Sequence, residues 1–146
     1  MRRFILTSLF STVLINSFMF SAFAADKNEI SFTHEPDSIV FKEGKYKGQE
    51  IDVITSKGKL YVQAQAMVPF ENEFNFDENG TTGKVTIDNV DIWLGAHPEI
   101  WKNGKALSKL GYDEALLREG YIPIRFVYEE AGYSVEYADR KVKIYK

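Results

Sequence analysis

The sequence predicts an α+β domain, in which a mainly antiparallel β-sheet is wrapped around one or two short helices and is built from two weak strand–helix–hairpin repeats. Three observations support this fold class. Short alternating apolar runs are separated by turn dipeptides, one segment after Pro123 has helical periodicity, and two stretches about 60 residues apart share a pattern.

Residues 1–24 have the pattern of an export signal. Arg2 and Arg3 precede an uncharged apolar stretch, and Ala22-Phe23-Ala24 matches the small-x-small site that signal peptidase accepts. We expect cleavage after Ala24. A retained membrane anchor is the alternative, but several Ser, Thr and Asn residues dilute the apolar stretch.

The remaining 122 residues (146 less 24) are long enough for one domain with one core. They hold 16 basic and 21 acidic residues, a formal charge of −5 without a basic cluster, so nucleic acid is not an expected partner. The chain has no cysteine, which excludes disulfides and a thiol nucleophile.

Six alternating runs predict short, half-buried strands, at residues 38–41, 50–55, 60–63, 84–87, 91–94 and 99–101. Dipeptides suited to tight turns lie beside them: Glu43-Gly44, Lys57-Gly58, Asn79-Gly80, Asp88-Asn89 and Asn103-Gly104. This spacing is typical of hairpins, so we expect antiparallel pairing.

The helical signal follows Pro123. Apolar residues recur there at i, i+3, i+4 and i+7: Ile124, Val127, Tyr128 and Ala131. Gly132 stands where a left-handed cap would end the helix. The alternation after it predicts a closing hairpin that turns at residues 138–140.

The stretch 60–87 parallels the stretch 120–146. Tyr61-Val62 aligns with Tyr121-Ile122, and Phe74 and Phe76 align with Val135 and Tyr137. A duplicated unit explains this pattern. The first copy departs from the second at Pro69, which interrupts its helical segment.

The motifs KVTI (84–87), WLG (93–95), WKNGK (101–105), GYIPIRF (120–126), EAG (130–132) and VEY (135–137) together resemble the copper amine oxidase N-terminal domain, or stalk domain. The resemblance covers roughly residues 59–146, so residues 25–58 are expected to be a β-rich N-terminal extension packed on that domain. It implies an antiparallel sheet around a short helix in an exported bacterial protein, and a module that accompanies catalysis without performing it.

Catalysis, metal and cofactor are not expected. The catalytic domain of the amine oxidases uses three histidines and a Tyr preceded by Asn, whereas this chain has only His34 and His97 and no Asn-Tyr pair. The two histidines lack ligand spacing and are expected at the surface. Adjacent Glu129 and Glu130 diverge on a helix and cannot act as paired glycosidase carboxylates.

Aromatic residues give the candidate binding site. Trp93, Trp101 and Tyr121 each alternate with a neighbouring Ile or Leu and so are predicted to point away from the core. They suit stacking on sugars or contact with a protein, unless residues 26–55 cover that face. Arg125 is either an anion or partner contact or, the favoured interpretation, an ion-pair partner of Glu129.

These observations predict an exported, non-catalytic binding or attachment module of the cell envelope. Its expected ligand is cell-wall polysaccharide, bound through Trp93, Trp101 and Tyr121, with Arg125 as a further contact. The alternative is a protein-interaction or assembly module, with a surface protein as partner or as a homo-oligomer. No membrane contact is expected after signal cleavage.

Overall fold

The computed structural model describes residues 29–70, 72–76 and 82–146. The predicted export signal and the Asn79-Gly80 turn lie outside these residues. Antiparallel strands dominate the described chain and the helices are few and short, so the predicted α+β class is confirmed. No helix within these ranges is long and apolar enough to cross a membrane.

The larger sheet has seven strands in the order β10-β4-β3-β2-β1-β12-β11. Its strands are β1 (Ile30–His34), β2 (Ser38–Val40), β3 (Glu50–Ser56), β4 (Lys59–Gln63), β10 (Tyr121–Pro123), β11 (Ser134–Ala138) and β12 (Lys141–Tyr145). The first and last of the described strands are neighbours, because Ile30 pairs with Ile144 and Phe32 with Val142.

The smaller sheet has five strands in the order β5-β6-β7-β8-β9. They are β5 (Glu73–Phe76), β6 (Gly83–Ile87), β7 (Val90–Leu94), β8 (Glu99–Lys102) and β9 (Lys105–Ala106). The six strands predicted from alternation are all present, shifted by at most a residue or two. The alternation did not predict β1 or the two-residue β9.

The hairpin turns follow the predicted dipeptides. Both residues of Lys57-Gly58, of Asn103-Gly104 and of Asp139-Arg140 have positive φ. That backbone twist matches the right-handed twist of paired strands, which is why two-residue hairpins favour it. The three turns fix the registers of the β3–β4, β8–β9 and β11–β12 hairpins.

The predicted helix is present as α2 (Ile124–Glu130), which follows α1 (Glu114–Arg118). The chain leaves α2 through Gly132, whose φ is +87°. The first copy of the repeat has two 3₁₀ helices instead, Ala64–Ala66 and Val68–Phe70. Pro69 within the second of them is incompatible with a continuous α-helix, as expected.

A single hydrophobic core joins the two sheets and the helices. Fully buried members of each part are Val62 and Ile144 of the larger sheet, Ile92 of the smaller sheet, Met67 between the 3₁₀ helices and Val127 of α2. Strands β1–β3 lie within the larger sheet, between β4 and β12. The predicted extension (25–58) therefore shares a sheet with residues 59–146, and their division into two units stays a prediction.

The β4–β10 pair gives a stability prediction. Ile122 is fully buried opposite Val62, so Ile122→Ala should lower the free energy of unfolding by roughly 2–5 kcal/mol through lost burial and the cavity left behind. Val68→Ala is the control, since Val68 is 57% exposed and should cost well under about 1 kcal/mol. Chemical denaturation measures both, and equal losses would contradict the described core.

Candidate functional site

The outer face of the smaller sheet carries the two tryptophans in two cross-strand rows. One row consists of Lys84, Trp93 and Glu99, directly opposite one another on β6, β7 and β8. The second row consists of Thr86, Asp91 and Trp101. We call these six residues the tryptophan face. Trp93 and Trp101 occupy diagonal positions on adjacent strands. The backbones of such positions are roughly 7–8 Å apart.

The face exists because the three strands alternate strictly. Val85, Ile92 and Ile100 are fully buried on the inner side, and their neighbours along each strand point outward. Trp93 is 42% exposed and Trp101 is half-buried, so the predicted outward phase of both residues is confirmed.

Polar groups surround the rings. Lys84 Nζ lies 5.4 Å from the centroid of the Trp93 ring and 3.6 Å from Asp91 Oδ1. The Thr86 hydroxyl donates to Asp91 Oδ1 at 2.8 Å, and Trp101 Nε1 donates to Glu99 Oε2 at 2.9 Å. Each carboxylate is therefore held by its neighbours, and within the described parts of the chain the contacts go to one oxygen, so the other can accept from a ligand.

Residues 29–55 leave Trp93 exposed, but part of this segment borders the face at Thr86, which lines the same cavity as Ser31, Glu43 and Tyr46. The segment forms β1, β2 and β3 in the other sheet. Of the two alternatives that the sequence left open, the described residues show the open one at Trp93.

Tyr121 and Arg125 lie on other elements. Tyr121 is half-buried on β10, at the edge of the larger sheet, where it pairs with Gln63. Arg125 is on α2, and its Nε donates to Glu129 Oε1 at 2.8 Å. The favoured i,i+4 ion pair is thus confirmed. The structure brings Trp93 and Trp101 together and places the other two candidates on separate elements.

A cavity of about 620 Å³ lies between α2 and the larger sheet, and we call it the α2 cavity. Arg125 lines it, together with His34, Tyr137 and the β3–β4 turn. The His34 and Tyr137 rings are edge to face, with centroids 6.1 Å apart. Sequence reasoning missed this cavity, because its lining residues come from distant parts of the chain.

The expectation of a surface histidine is wrong for one atom. Nε2 of His34 is buried and has no hydrogen-bond partner among the residues that the structure describes. The His34 side chain as a whole is half-buried, and the Tyr137 ring packs against it edge to face. His97 is exposed, as expected.

A second cavity, of about 480 Å³, is lined by polar groups around Tyr128. The Tyr128 hydroxyl lies 3.3 Å from the Phe70 carbonyl oxygen and 3.1 Å from Asn72 Oδ1. Burial raises the pKa of this phenol above its ordinary value, so it stays protonated and acts as a hydrogen-bond donor within the core. Its contacts join α2 to the segment that precedes β5, which is a structural role.

In ranges 29–70, 72–76 and 82–146, no group of three or more His, Cys, Asp or Glu side chains is arranged to hold a metal ion. Comparisons of the chain with known protein families, with curated proteins and with solved structures found no match.

Proposed function

We propose that this protein is an exported, non-catalytic module of the cell envelope that binds cell-wall polysaccharide on its tryptophan face. The observation that carries the proposal is the pair of Trp93 and Trp101 on one open sheet face. Flat apolar rings stack on the C–H faces of sugars, and a sheet holds such rings in a fixed arrangement. The diagonal spacing suits a chain of sugars better than a single ring.

The polar residues of the tryptophan face orient the bound sugar. Asp91 and Glu99 accept hydrogen bonds from sugar hydroxyls, and Lys84 donates to ring or hydroxyl oxygens. Both carboxylates already have partners within the face, which suits the positioning of hydroxyls more than the transfer of protons. Tyr121 and Arg125 lie on other elements, and we leave them out of this ligand site.

The sequence supports the remaining parts of the proposal. The signal-like residues 1–24 favour export and a cell-envelope location. The resemblance of residues 59–146 to the stalk domain of copper amine oxidases favours a role beside catalysis. Attachment through many weak sugar contacts would retain such a module at the wall without a covalent link.

A protein-interaction or assembly function is the second candidate, and the edge strand β11 favours it. Among the described residues, this strand ends the larger sheet and pairs only with β12. Its side chains are mostly exposed, and Tyr137 is 56% exposed. A free strand edge next to an exposed aromatic ring is suited to pairing with a second chain.

We further propose that the chain is a duplication of one strand–helix–hairpin unit. The pairing of β4 with β10 supports it, because Val62 stands opposite Ile122 and these are equivalent positions in the two aligned stretches. Antiparallel pairing of equivalent positions is what a local twofold axis between two copies produces. Each strand is followed by helix and hairpin: 3₁₀ helices and β5–β6 after β4, and α2 and β11–β12 after β10.

The last strand of each unit also pairs with a strand outside the unit, in an equivalent way. The last strand of the first unit, β6, pairs with β7, and the last strand of the second unit, β12, pairs with β1. Val85 and Ile144 are equivalent, because they pair with the aligned residues Phe74 and Val135. Val85 opposite Ile92 therefore corresponds to Ile144 opposite Ile30. Glu29 and Lys146 then lie on the side of β1 and β12 that corresponds to the Asp88-Asn89 turn between β6 and β7.

Replacement of both tryptophans tests the polysaccharide proposal. Trp93→Ala with Trp101→Ala should weaken binding to isolated bacterial cell walls about tenfold or more, since two stacking contacts are lost. The bound fraction after sedimentation with walls measures it, and soluble wall glycans should compete. Tyr137→Ala is the matched control, because this exposed aromatic lies on the other sheet. A wild-type chain that stays in the supernatant would show the proposal to be wrong.

A concentration series tests the assembly candidate. Analytical ultracentrifugation should show a dimer that grows with protein concentration and that Tyr137→Lys disfavours, since a lysine beside the free edge opposes pairing. Tyr121→Lys, on the opposite edge strand β10, is the control and should retain the dimer. A monomer at all concentrations would contradict homo-oligomerisation through β11.

A circular permutant tests the equivalence of the two units. Joining Lys146 to Glu29 through three glycines and opening the chain between Asp88 and Asn89 exchanges one hairpin connection for a counterpart of equal length. The free energy of unfolding should stay within about 2 kcal/mol of the parent chain of residues 29–146. A permutant opened within β10, between Ile122 and Pro123, is the control and should fail to fold. Equal loss of structure in both would contradict the equivalence.

A further inference from the structure

The α2 cavity is apolar at depth. Phe32 of β1, Val142 of β12 and Ile124 of α2 are buried in its lining, and Leu60 and Phe126 are half-buried there. Its volume of about 620 Å³ is in the range of sites that hold small organic ligands, which runs from roughly 300 to 1,000 Å³.

The mouth of the α2 cavity is cationic. Lys57 and Arg125 are exposed and Lys59 is half-buried, whereas the lining contains a single carboxylate, that of Glu129. Three positive charges against one negative charge leave a local surplus of two, on a chain whose formal net charge is −3. This reversal of sign favours an anionic group at the mouth.

The existing contacts of these cations leave donors available. Arg125 uses Nε for Glu129, and its terminal nitrogens provide further N–H groups. Lys59 Nζ donates to the Gly111 carbonyl oxygen and lies 5.7 Å from the centroid of the Phe126 ring. In the part of the chain that the structure describes, Lys57 forms no ion pair.

The lining also contains a polar atom without a partner. His34 Nε2 is buried, and none of the described residues forms a hydrogen bond with it. Because this nitrogen has almost no accessible surface, a ligand in the cavity would contact other atoms of the His34 ring and not Nε2.

The walls favour an alkyl chain over a peptide. The strands that carry Phe32, Leu60 and Val142 are β1, β4 and β12, and each of them is hydrogen-bonded to a neighbour on both sides. Their backbone groups are therefore occupied, and they present apolar side chains to a ligand. An extended peptide would leave its own backbone groups unpaired against these walls.

We propose that the α2 cavity binds a single-chain fatty carboxylate, with the alkyl chain against Phe32, Leu60 and Val142 and the carboxylate between Lys57 and Arg125. Charge-assisted hydrogen bonds from the two cations hold the head group, and burial of the chain supplies the remaining affinity. The site is separate from the tryptophan face and does not depend on polysaccharide binding.

Isothermal titration with sodium decanoate below its micelle concentration tests the proposal. Decanoate should bind at one site, and decyltrimethylammonium, which has the same chain and the opposite charge, should bind at least about tenfold more weakly. Butanoate, which keeps the head group and shortens the chain, should give no measurable binding. Equal affinity for the two ten-carbon ligands, or no decanoate binding, would overturn the proposal.

Variants then locate the site. Lys57→Gln with Arg125→Gln should weaken decanoate binding about tenfold or more, because both head-group contacts are lost. The matched control removes two exposed lysines that do not line the α2 cavity, Lys47 and Lys105, by the same change to Gln and should keep the wild-type affinity. Thermal unfolding by circular dichroism checks that all variants fold. An unchanged affinity in the Lys57 and Arg125 variant would place the ligand elsewhere and overturn the proposal.

The tryptophan variants separate the two proposals. Trp93→Ala with Trp101→Ala should leave decanoate binding unchanged, since neither residue lines the α2 cavity. A loss of decanoate binding in that variant would contradict the assignment of the fatty carboxylate to the α2 cavity.

Discussion

The antiparallel pair of β4 and β10 is the constraint on which the rest of the fold depends. Val62 and Ile122 are fully buried opposite each other, and Ala64 N donates to the Gly120 carbonyl oxygen at 2.8 Å. Both strands run directly into helices, the 3₁₀ helices on one side and α2 on the other. The pair therefore determines where each helix enters the common core and where each following hairpin begins. Tyr61 adds a further tie, since its hydroxyl accepts from the Asp113 backbone N–H at 3.0 Å.

The tryptophan face and the α2 cavity follow from this arrangement in different ways. The face is a local product of strand alternation: with Val85, Ile92 and Ile100 inside, the side chains between them must point outward. The cavity depends on contacts between residues that are distant in sequence, because α2 lies over strands from near both ends of the described chain. The first is one face of a sheet, and the second is concave and partly open to solvent.

Sequence reasoning succeeded where the determining interactions are local. The positive φ values of Lys57-Gly58 and Asn103-Gly104 belong to two-residue turns, and the periodicity after Pro123 defines a helix without reference to the rest of the chain. The outward phase of Trp93 was predictable for the same reason. Even α1, which was not predicted, has a local signal, since the Asp113 side chain caps the Ala115 N–H.

Long-range placement was not predictable from the residues alone. Nothing near His34 in the sequence indicates that it shares a cavity with Arg125, because β1 reaches that place only by pairing with β12. The division of the strands into two sheets depends in the same way on the path of the chain after β4.

The pairing of β1 with β12 also sets the order in which the larger sheet can form. Synthesis delivers β1 first and β12 last, so β1 has β2 as its hairpin neighbour and lacks its other partner until almost the whole chain is made. Contacts between such distant segments form slowly, because the entropy cost of closing a long loop comes before the contacts stabilise the chain. A chain cut short before Lys141 therefore leaves one edge of β1 unpaired and exposes the apolar side chains of Phe32 and Ile30. Such a truncated chain is prone to aggregation and proteolysis.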